Sequence, residues 1–317
     1  MTFPMTFATV PENLYVRLEF GDCVKVMGDL EDASVDVILT DPPYGYLQHK
    51  LDRPFDEQKY FDEAMRLLKP TGFHVTFGRG TSFYRWNTEL AKRGFEFKEE
   101  VIWSKRNSSG PGMRLQRFHE TVSIYARNKS SIRKSIVPYL EARAWDISRI
   151  QKDLERLTSD LNSRKTFEDM RNFVSVWERE GHAPEPEYTK DMATRHTITT
   201  GKGLKQDPHR VGILKAIAIG MHERSIMEVT REQRPEHPTQ KPVRLMERLL
   251  LLVSDPGMTV FDPFMGSGTT GLACMGTGRH FIGCEILPEY FEMAIKRLQE
   301  GGCVPSKPGY EDLPLCE

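Results

Sequence analysis

A doubly wound, mostly parallel α/β sheet carrying a largely helical insertion is the fold class this 317-residue chain predicts. Three observations predict it. Residues 20–127 alternate between β-branched runs and helical stretches, a strand–loop–helix–strand block occupies 258–286, and the segment between them loses the alternation. Strands alternating with helices build a parallel sheet whose ligand sites lie at the strands' carboxyl ends.

The elements follow in order. Cys23–Met27 reads as a short strand and Val35–Thr40 as a buried one. Glu57–Leu68 is helical, Phe73–Phe77 is a strand, and Ser82–Arg93 is again helical. Val101–Trp103 and Thr121–Ala126 are strands on either side of a loop. In the second block Pro242–Val253 is a helix with Val243, Met246, Leu249, Leu250 and Val253 on one face, which assigns that face to the core. Strand Met258–Phe261, helix Thr270–Met275 and strand His280–Ile286 complete it.

The strand at Val35 stops on Asp41-Pro42-Pro43-Tyr44. The two prolines fix φ and remove two backbone donors, so nearby carbonyls stay free to accept. A rigid acceptor array, the Asp41 carboxylate and a proline carbonyl, is left beside an aromatic face. Such an array suits a flat ring with an exocyclic amino group. A plain strand-ending turn is the simpler alternative, but turns seldom combine an acid, Pro-Pro and Tyr in this order.

A second motif, Phe261-Asp262-Pro263-Phe264-Met265-Gly266-Ser267-Gly268-Thr269-Thr270, joins a strand to a helix. Its glycines permit a tight turn and close backbone approach to a ligand, and the helix start offers free N–H groups. Glu285 follows 19 residues after Gly266, where a carboxylate binds ribose hydroxyls in open α/β sheets. Gly266, Gly268 and Gly271 also satisfy the G-x-G-x-x-G of a dinucleotide site. Asp262 argues against that reading, because an acid at the loop's mouth repels a pyrophosphate and favours a cationic ammonium.

Together these motifs resemble the amino-group DNA methyltransferases that use S-adenosylmethionine. Gly28-Asp29 with Ser34-Val35-Asp36, Leu67-Leu68-Lys69-Pro70-Thr71-Gly72, His119-Glu120-Thr121-Val122 and His237-Pro238-Thr239-Gln240-Lys241-Pro242 are similar to further blocks of that family. The tetrapeptide precedes the cofactor loop, which is the permuted order of the family's β group. The resemblance implies a Rossmann-like methyltransferase sheet with 1–127 as its catalytic half and 237–300 as its cofactor half. It places a target-recognition domain at 128–236. Asp41, Pro42, Pro43 and Tyr44 are then catalytic. Phe261, Asp262, Pro263, Gly266, Ser267, Gly268 and Thr269 form the cofactor loop. Asp29 meets the cofactor adenine, Glu285 the ribose, and Asp262 with Lys241 the methionine end.

Composition narrows the classes without choosing among them. A net charge of −1 gives no global affinity for nucleic acid, so charge is read locally. Five cysteines with no C-x-x-C pair read as reduced cytosolic thiols, with no metal site. No apolar stretch reaches membrane-spanning length and no export signal opens the chain, so the expected place is the cytoplasm of a bacterial or phage-infected cell.

The insertion opens with Ile147, Ile150, Leu154, Leu157 and Leu161 at helical spacing behind Asp146 as N-cap. Thr166 and Asp169 resemble a capping box starting a second helix that ends near Gly181. Two acid-free stretches are the DNA-binding candidates. One carries Lys105, Arg106, Arg114 and Arg117 around Gly110-Pro111-Gly112, and the other carries Arg195, Lys202 and Lys205. Solvated loops and faces account for both equally simply. The tail 301–317 is expected to be disordered.

The expected reaction is methylation of adenine N6 in double-stranded DNA. Cytosine N4 is the alternative within the same chemistry, and a non-catalytic DNA-binding protein is the alternative outside it. Family members acting on cytosine more often carry Ser where this chain has Asp41. A second copy of the chain and a cognate restriction endonuclease are further partners the resemblance admits; a membrane is not.

Overall fold

A computed structural model describes residues 14–45, 50, 52–109, 114–161, 212–232 and 237–302. It divides into two units, Met1–Ser135 with Arg224–Glu317, and Ile136–Glu223. The strands are β1 (Val16–Phe20), β2 (Val35–Thr40), β3 (Leu68–Gly78), β4 (Glu96–Ser109), β5 (Arg117–Ala126), β6 (Ile136–Val137), β7 (Met221–His222), β8 (Ile226–Glu228), β9 (Thr259–Asp262) and β10 (His280–Glu285). In the larger unit eight of them form one sheet in the order β1-β10-β9-β2-β3-β5-β4-β8. Pairing is parallel from β1 through β3 and between β4 and β8, and antiparallel where β5 meets β3 and β4. The fold is the Rossmann-like one expected, with the chain's last two strands wedged between its first two.

Side-chain alternation explains how both faces are covered. Val37, Leu39, Val260 and Phe281 face one side, with Leu245, Leu249 and Val253 of α7 (Val243–Val253), Ala273 of α8 (Thr269–Thr277) and Leu298 of α9 (Pro288–Glu300). Ile38, Phe261 and Ile282 face the other. There they meet Met27 of α1 (Cys23–Gly28), Phe61 and Leu67 of α2 (Glu57–Leu67), and Trp86 and Leu90 of α3 (Gly80–Lys92). Val37, Ile38 and Leu39 have no exposed surface, and burying each such side chain stabilises by about 1.5–3 kcal/mol. Slipping β2 by one residue would exchange its two faces, so packing fixes the register that aims Asp41.

Cys23–Met27 is a correction: it is helix α1, not a strand. The Asp22 side chain accepts from Val24 N at 3.1 Å and Lys25 N at 3.3 Å, closing the first turn. The strand at this end of the sheet is β1, which pairs with β10.

In the smaller unit β6 pairs antiparallel with β7, beside α4 (Tyr139–Ala142), α5 (Ile147–Leu161) and α6 (Gly212–Ile219). Asp146 caps α5 as expected, accepting from Ser148 N at 2.9 Å and Arg149 N at 3.2 Å. The amphipathic helix forms as expected, with Ile150 and Leu157 of its apolar stripe half-buried. Ile147 and Leu154 are exposed, while Asp153 is buried against the Tyr139 hydroxyl at 2.9 Å and Arg143 at 2.6 Å. A buried carboxylate needs such partners, and Tyr139 and Arg143 supply them. The helix expected from Thr166 and the tail after 302 lie outside the described residues. No helix among the described residues is long and apolar enough to cross a membrane.

Candidate active site

β2 and β9 are parallel neighbours, yet the helices that follow them, α2 and α8, cover opposite faces of the sheet. The chain therefore leaves a crevice at their carboxyl ends, the usual ligand position in an open α/β sheet. A cavity of about 450 Å³ occupies it, within the size range of small-molecule sites. Its walls come from the ends of β1, β2, β9 and β10, from residues 52–55, and from the approach to α7.

Asp41 stands at this crevice with both oxygens engaged. Tyr44 Oη donates to Oδ1 at 2.6 Å, and Lys241 Nζ donates to Oδ2. The Tyr44 carbonyl accepts from Ser82 Oγ at 2.5 Å, which ties the tetrapeptide to the start of α3. The Tyr44 ring lies 6.0 Å from that of Trp86, so it is buttressed on one side. Burial raises the Asp41 carboxyl above its ordinary range, and Lys241 pulls it back down. Lys241 is buried as well, yet Asp41 and Glu120 hold its ammonium charged and raise its pKa.

The cofactor-loop candidates surround the other half. Gly266 has φ of +51°, and a Cβ there would meet the His237 ring at 3.3 Å, so glycine is required on two counts. Gly266 N donates to Glu285 Oε2 at 3.0 Å, while Ile286 N and Leu287 N donate to Oε1 at 2.9 and 2.8 Å. Glu285 is thereby fixed as an acceptor at the cavity wall, its pKa raised by burial against those three donors. Asp262 accepts from Thr270 Oγ1 at 2.5 Å and Phe264 N at 3.1 Å. Burial pushes its carboxyl up to about 7.

That shift carries a prediction. A folded-state pKa above the unfolded value means the folded protein holds the proton longer. Without a ligand, the contribution of Asp262 to stability should fall as pH rises from about 4 to about 7, by roughly 4 kcal/mol. Asp262→Asn should flatten this slope and raise the melting temperature at pH 8 while weakening cofactor binding. Thermal unfolding across that range checks it, and an unchanged slope would remove Asp262 as the source.

Asp41, Pro42, Pro43, Tyr44, Lys241, Asp262, Pro263, Gly266, Ser267, Thr269 and Glu285 all line this one cavity. Three cofactor candidates do not. Phe261 is buried in the sheet among α1 and α2, and Gly268, at φ +75°, faces Ala294 Cβ of α9 at 3.0 Å. Asp29 is exposed as the C-cap of α1; Gly21, Asp22 and Cys23, at the opposite end of that helix, line the cavity. The cue was a second Gly-Asp pair directly after the β1 run. Arg297 also went unread. From α9 it donates to Ser267 O at 2.6 Å, Ser267 Oγ at 2.9 Å and Thr269 Oγ1 at 3.1 Å, holding the glycine loop in place.

Among the DNA-binding candidates, Lys105 is a correction. It is buried on β4 and ion-paired with Glu120, so it has no free charge for a phosphate. Arg114 is exposed and Arg117 is half-buried at the start of β5. The side chain of Arg106, and Arg195, Lys202 and Lys205 altogether, lie outside the described residues. Cys23, Cys274 and Cys284 are buried and unpaired, and no cluster among the described residues is suited to a metal.

Comparison with known proteins agrees with this geometry. The N6/N4 family model, described as DNA methylase, matches residues 35–296. The chain belongs to the N6/N4 DNA methylase family. This methylase is 25% identical over 321 residues to the type II methyltransferase M.HinfI of Haemophilus influenzae, covering 93% of its own chain and 70% of the relative. The M1.HpyAVI–SAM complex matches 89% of the methylase and 98% of its own chain, with TM-score 0.50 and 22% identity. TTHA0409, a DNA modification methylase of Thermus thermophilus complexed with S-adenosyl-L-methionine, matches at TM-score 0.52 and 20% identity over 92% and 99%. The cytosine-N4-specific PvuII DNA methyltransferase matches at TM-score 0.52 and 16% identity over 91% and 89%. At such identities the structural likeness establishes the fold. The methylase is a DNA methyltransferase that uses S-adenosylmethionine.

Proposed function

We propose that this enzyme methylates adenine N6 at one short sequence context in double-stranded DNA. The observation that carries the reading is Asp41, a carboxylate fixed by Tyr44 at 2.6 Å beside a cavity fit for the cofactor. An exocyclic amino nitrogen is a poor nucleophile because its lone pair is delocalised into the ring. Asp41 and the Pro42 carbonyl, each accepting one N–H, favour tetrahedral nitrogen and turn the lone pair outward. This is catalysis by positioning and electrostatics. The base cannot reach the crevice from within a duplex, so it is flipped out and stacks on Tyr44.

The residues present fit S-adenosylmethionine. Glu285 offers fixed acceptors to ribose hydroxyls. Gly266 lets the backbone approach closely. Asp262, a buried acid without a cation of its own, suits the ammonium. When bound, the cofactor supplies an electrophilic methyl on sulfur. Lys241 reaches this wall too, beside the methionine end. The 128–236 insertion is the proposed target-recognition domain, with Arg114, Arg117, Arg195, Lys202 and Lys205 as phosphate contacts.

Cytosine N4 stands as the second reading, because the PvuII enzyme, named as cytosine-N4-specific, shares the fold and the same acceptor array fits either amino group. The acidic Asp41 in place of Ser supports adenine. Methylation-sensitive sequencing of DNA from cells producing the protein decides between them. The expected result is N6-methyladenine confined to one short context; N4-methylcytosine at such a context would overturn the base assignment and leave the fold and mechanism standing.

A further inference from the structure

Asp41 sits in a largely buried cluster of four charges drawn from four places in the chain. Lys241, ahead of α7, pairs with Asp41 after β2. Lys241 Nζ is also 3.3 Å from Glu120 Oε2 on β5, and Glu120 pairs with Lys105 on β4. Lys241 and Lys105 are 7% and 3% exposed, so neither ammonium has water to turn to. The two anions and two cations balance. Each ammonium also lies over an aromatic ring, Lys241 over Phe77 at 4.8 Å and Lys105 over Trp103 at 5.1 Å.

The arrangement poses a problem for the reaction proposed above. Both Asp41 oxygens are engaged, one by Tyr44 and one by Lys241, so an arriving amino group must share an oxygen whose negative charge is already drawn toward an ammonium or a hydroxyl. Asp41 accepts most strongly once Lys241 releases it, but a buried ammonium that loses its anion is strongly unfavourable. Glu120 Oε2 answers this. It is buried, 3.3 Å from Nζ, and makes no well-aligned hydrogen bond. A small rotation of the lysine stem carries the ammonium from one carboxylate to the other without exposing it.

Resting on that reading of Asp41, we propose that Glu120 is a positioning residue for methyl transfer. It receives the Lys241 ammonium when the target amino group displaces it from Asp41. Lys241 is thus a stand-in for the substrate's amino group, keeping Asp41 ionised and aimed until the base arrives. The charged and titratable groups facing Asp41 are Lys241, Glu120, Tyr44 and Asp262, while Lys105 and then Arg231 stand behind Glu120. Lys241 and Lys105 hold Glu120 down at about 2 against its burial, so it stays an anion throughout the working range.

The test is the pH dependence of kcat at saturating cofactor in two variants. Glu120→Gln removes the receiving anion, so kcat should fall roughly a hundredfold with cofactor affinity within about twofold of wild type. It also removes a negative charge that raises the Asp41 pKa, so the acid limb of the profile should move to lower pH. Lys241→Met should move that limb the other way, to higher pH, with the rate recovering as pH rises. Glu120→Asp, which keeps the charge, should restore much of kcat and return the limb towards its wild-type position. A role confined to packing predicts losses of rate without opposite shifts. Wild-type kcat and an unmoved limb in Glu120→Gln would overturn the proposal. Should that variant fail to fold, an unmoved limb in Lys241→Met overturns it alone. Asp41→Ala separates the two levels: if it retains activity, the reading of Asp41 falls first, whereas an inactive Asp41→Ala beside an unaltered Glu120→Gln defeats only the role of Glu120.

Discussion

Replacing Asp41 with Ala should abolish methyl transfer by at least about a thousandfold while leaving the cofactor site largely intact. That factor corresponds to about 4 kcal/mol of barrier. The size follows from what the carboxylate does. It is one of two acceptors that shape a weak nucleophile, and it is held in place at the wall of the crevice before the base arrives. Its loss also strands Lys241, whose ammonium then depends on Glu120 alone. Cofactor binding should weaken only a few-fold, because the Gly266 loop and Glu285 are held by their own backbone bonds. Single-turnover transfer with calorimetric cofactor binding measures both. Transfer within about tenfold of wild type in a folded variant would remove Asp41 from the chemistry.

The second large effect belongs to Gly266. Valine there must adopt φ near +51°, a region a β-branched residue avoids, and its Cβ arrives 3.3 Å from His237. The added methyls project at the loop whose N–H meets Glu285. S-adenosylmethionine binding should weaken by roughly a hundredfold or more, which is about 3 kcal/mol. Gly268→Val is the informative companion. Its Cβ would press on Ala294 at 3.0 Å, so the damage should appear first as a lower melting temperature. Calorimetry and thermal unfolding on both variants separate the two glycines, and equal behaviour would show that the loop responds as one body.

Much of this was legible because the decisive residues are chemically unusual where they stand. An acid, two prolines and a tyrosine after a buried strand admit few readings, and a Gly-x-Gly turn between strand and helix admits few more. These fixed the ends of β2 and β9 and brought most of the site residues together. Short amphipathic runs were harder. Cys23–Met27 is a short, mostly apolar run that fits a strand or a helix, and Asp22, by accepting two backbone N–H groups, makes it a helix. Asp29 therefore lies at the exposed far end of α1, while Asp22 at its start lines the cavity. The wedge of β9 and β10 between β1 and β2 was not visible in local pattern, since it is set by pairings across most of the chain. The Lys241–Glu120 approach is of the same kind, two residues 121 positions apart that only the folded sheet brings to 3.3 Å. The apolar stripe of α5 was legible as a helix, whereas the buried Asp153 beside it was not, since its partners lie on another helix.

Where the methyl group goes tests the chemistry of Asp41 most directly. Purified protein, duplex DNA and S-adenosylmethionine bearing an isotopically labelled methyl, followed by digestion to nucleosides and mass spectrometry, reads this in one step. The expected product carries the label on an exocyclic amino nitrogen, as N6-methyladenine, and is absent with Asp41→Ala. Label on a ring carbon, as 5-methylcytosine, or DNA left unlabelled by a protein that binds the cofactor, would contradict it.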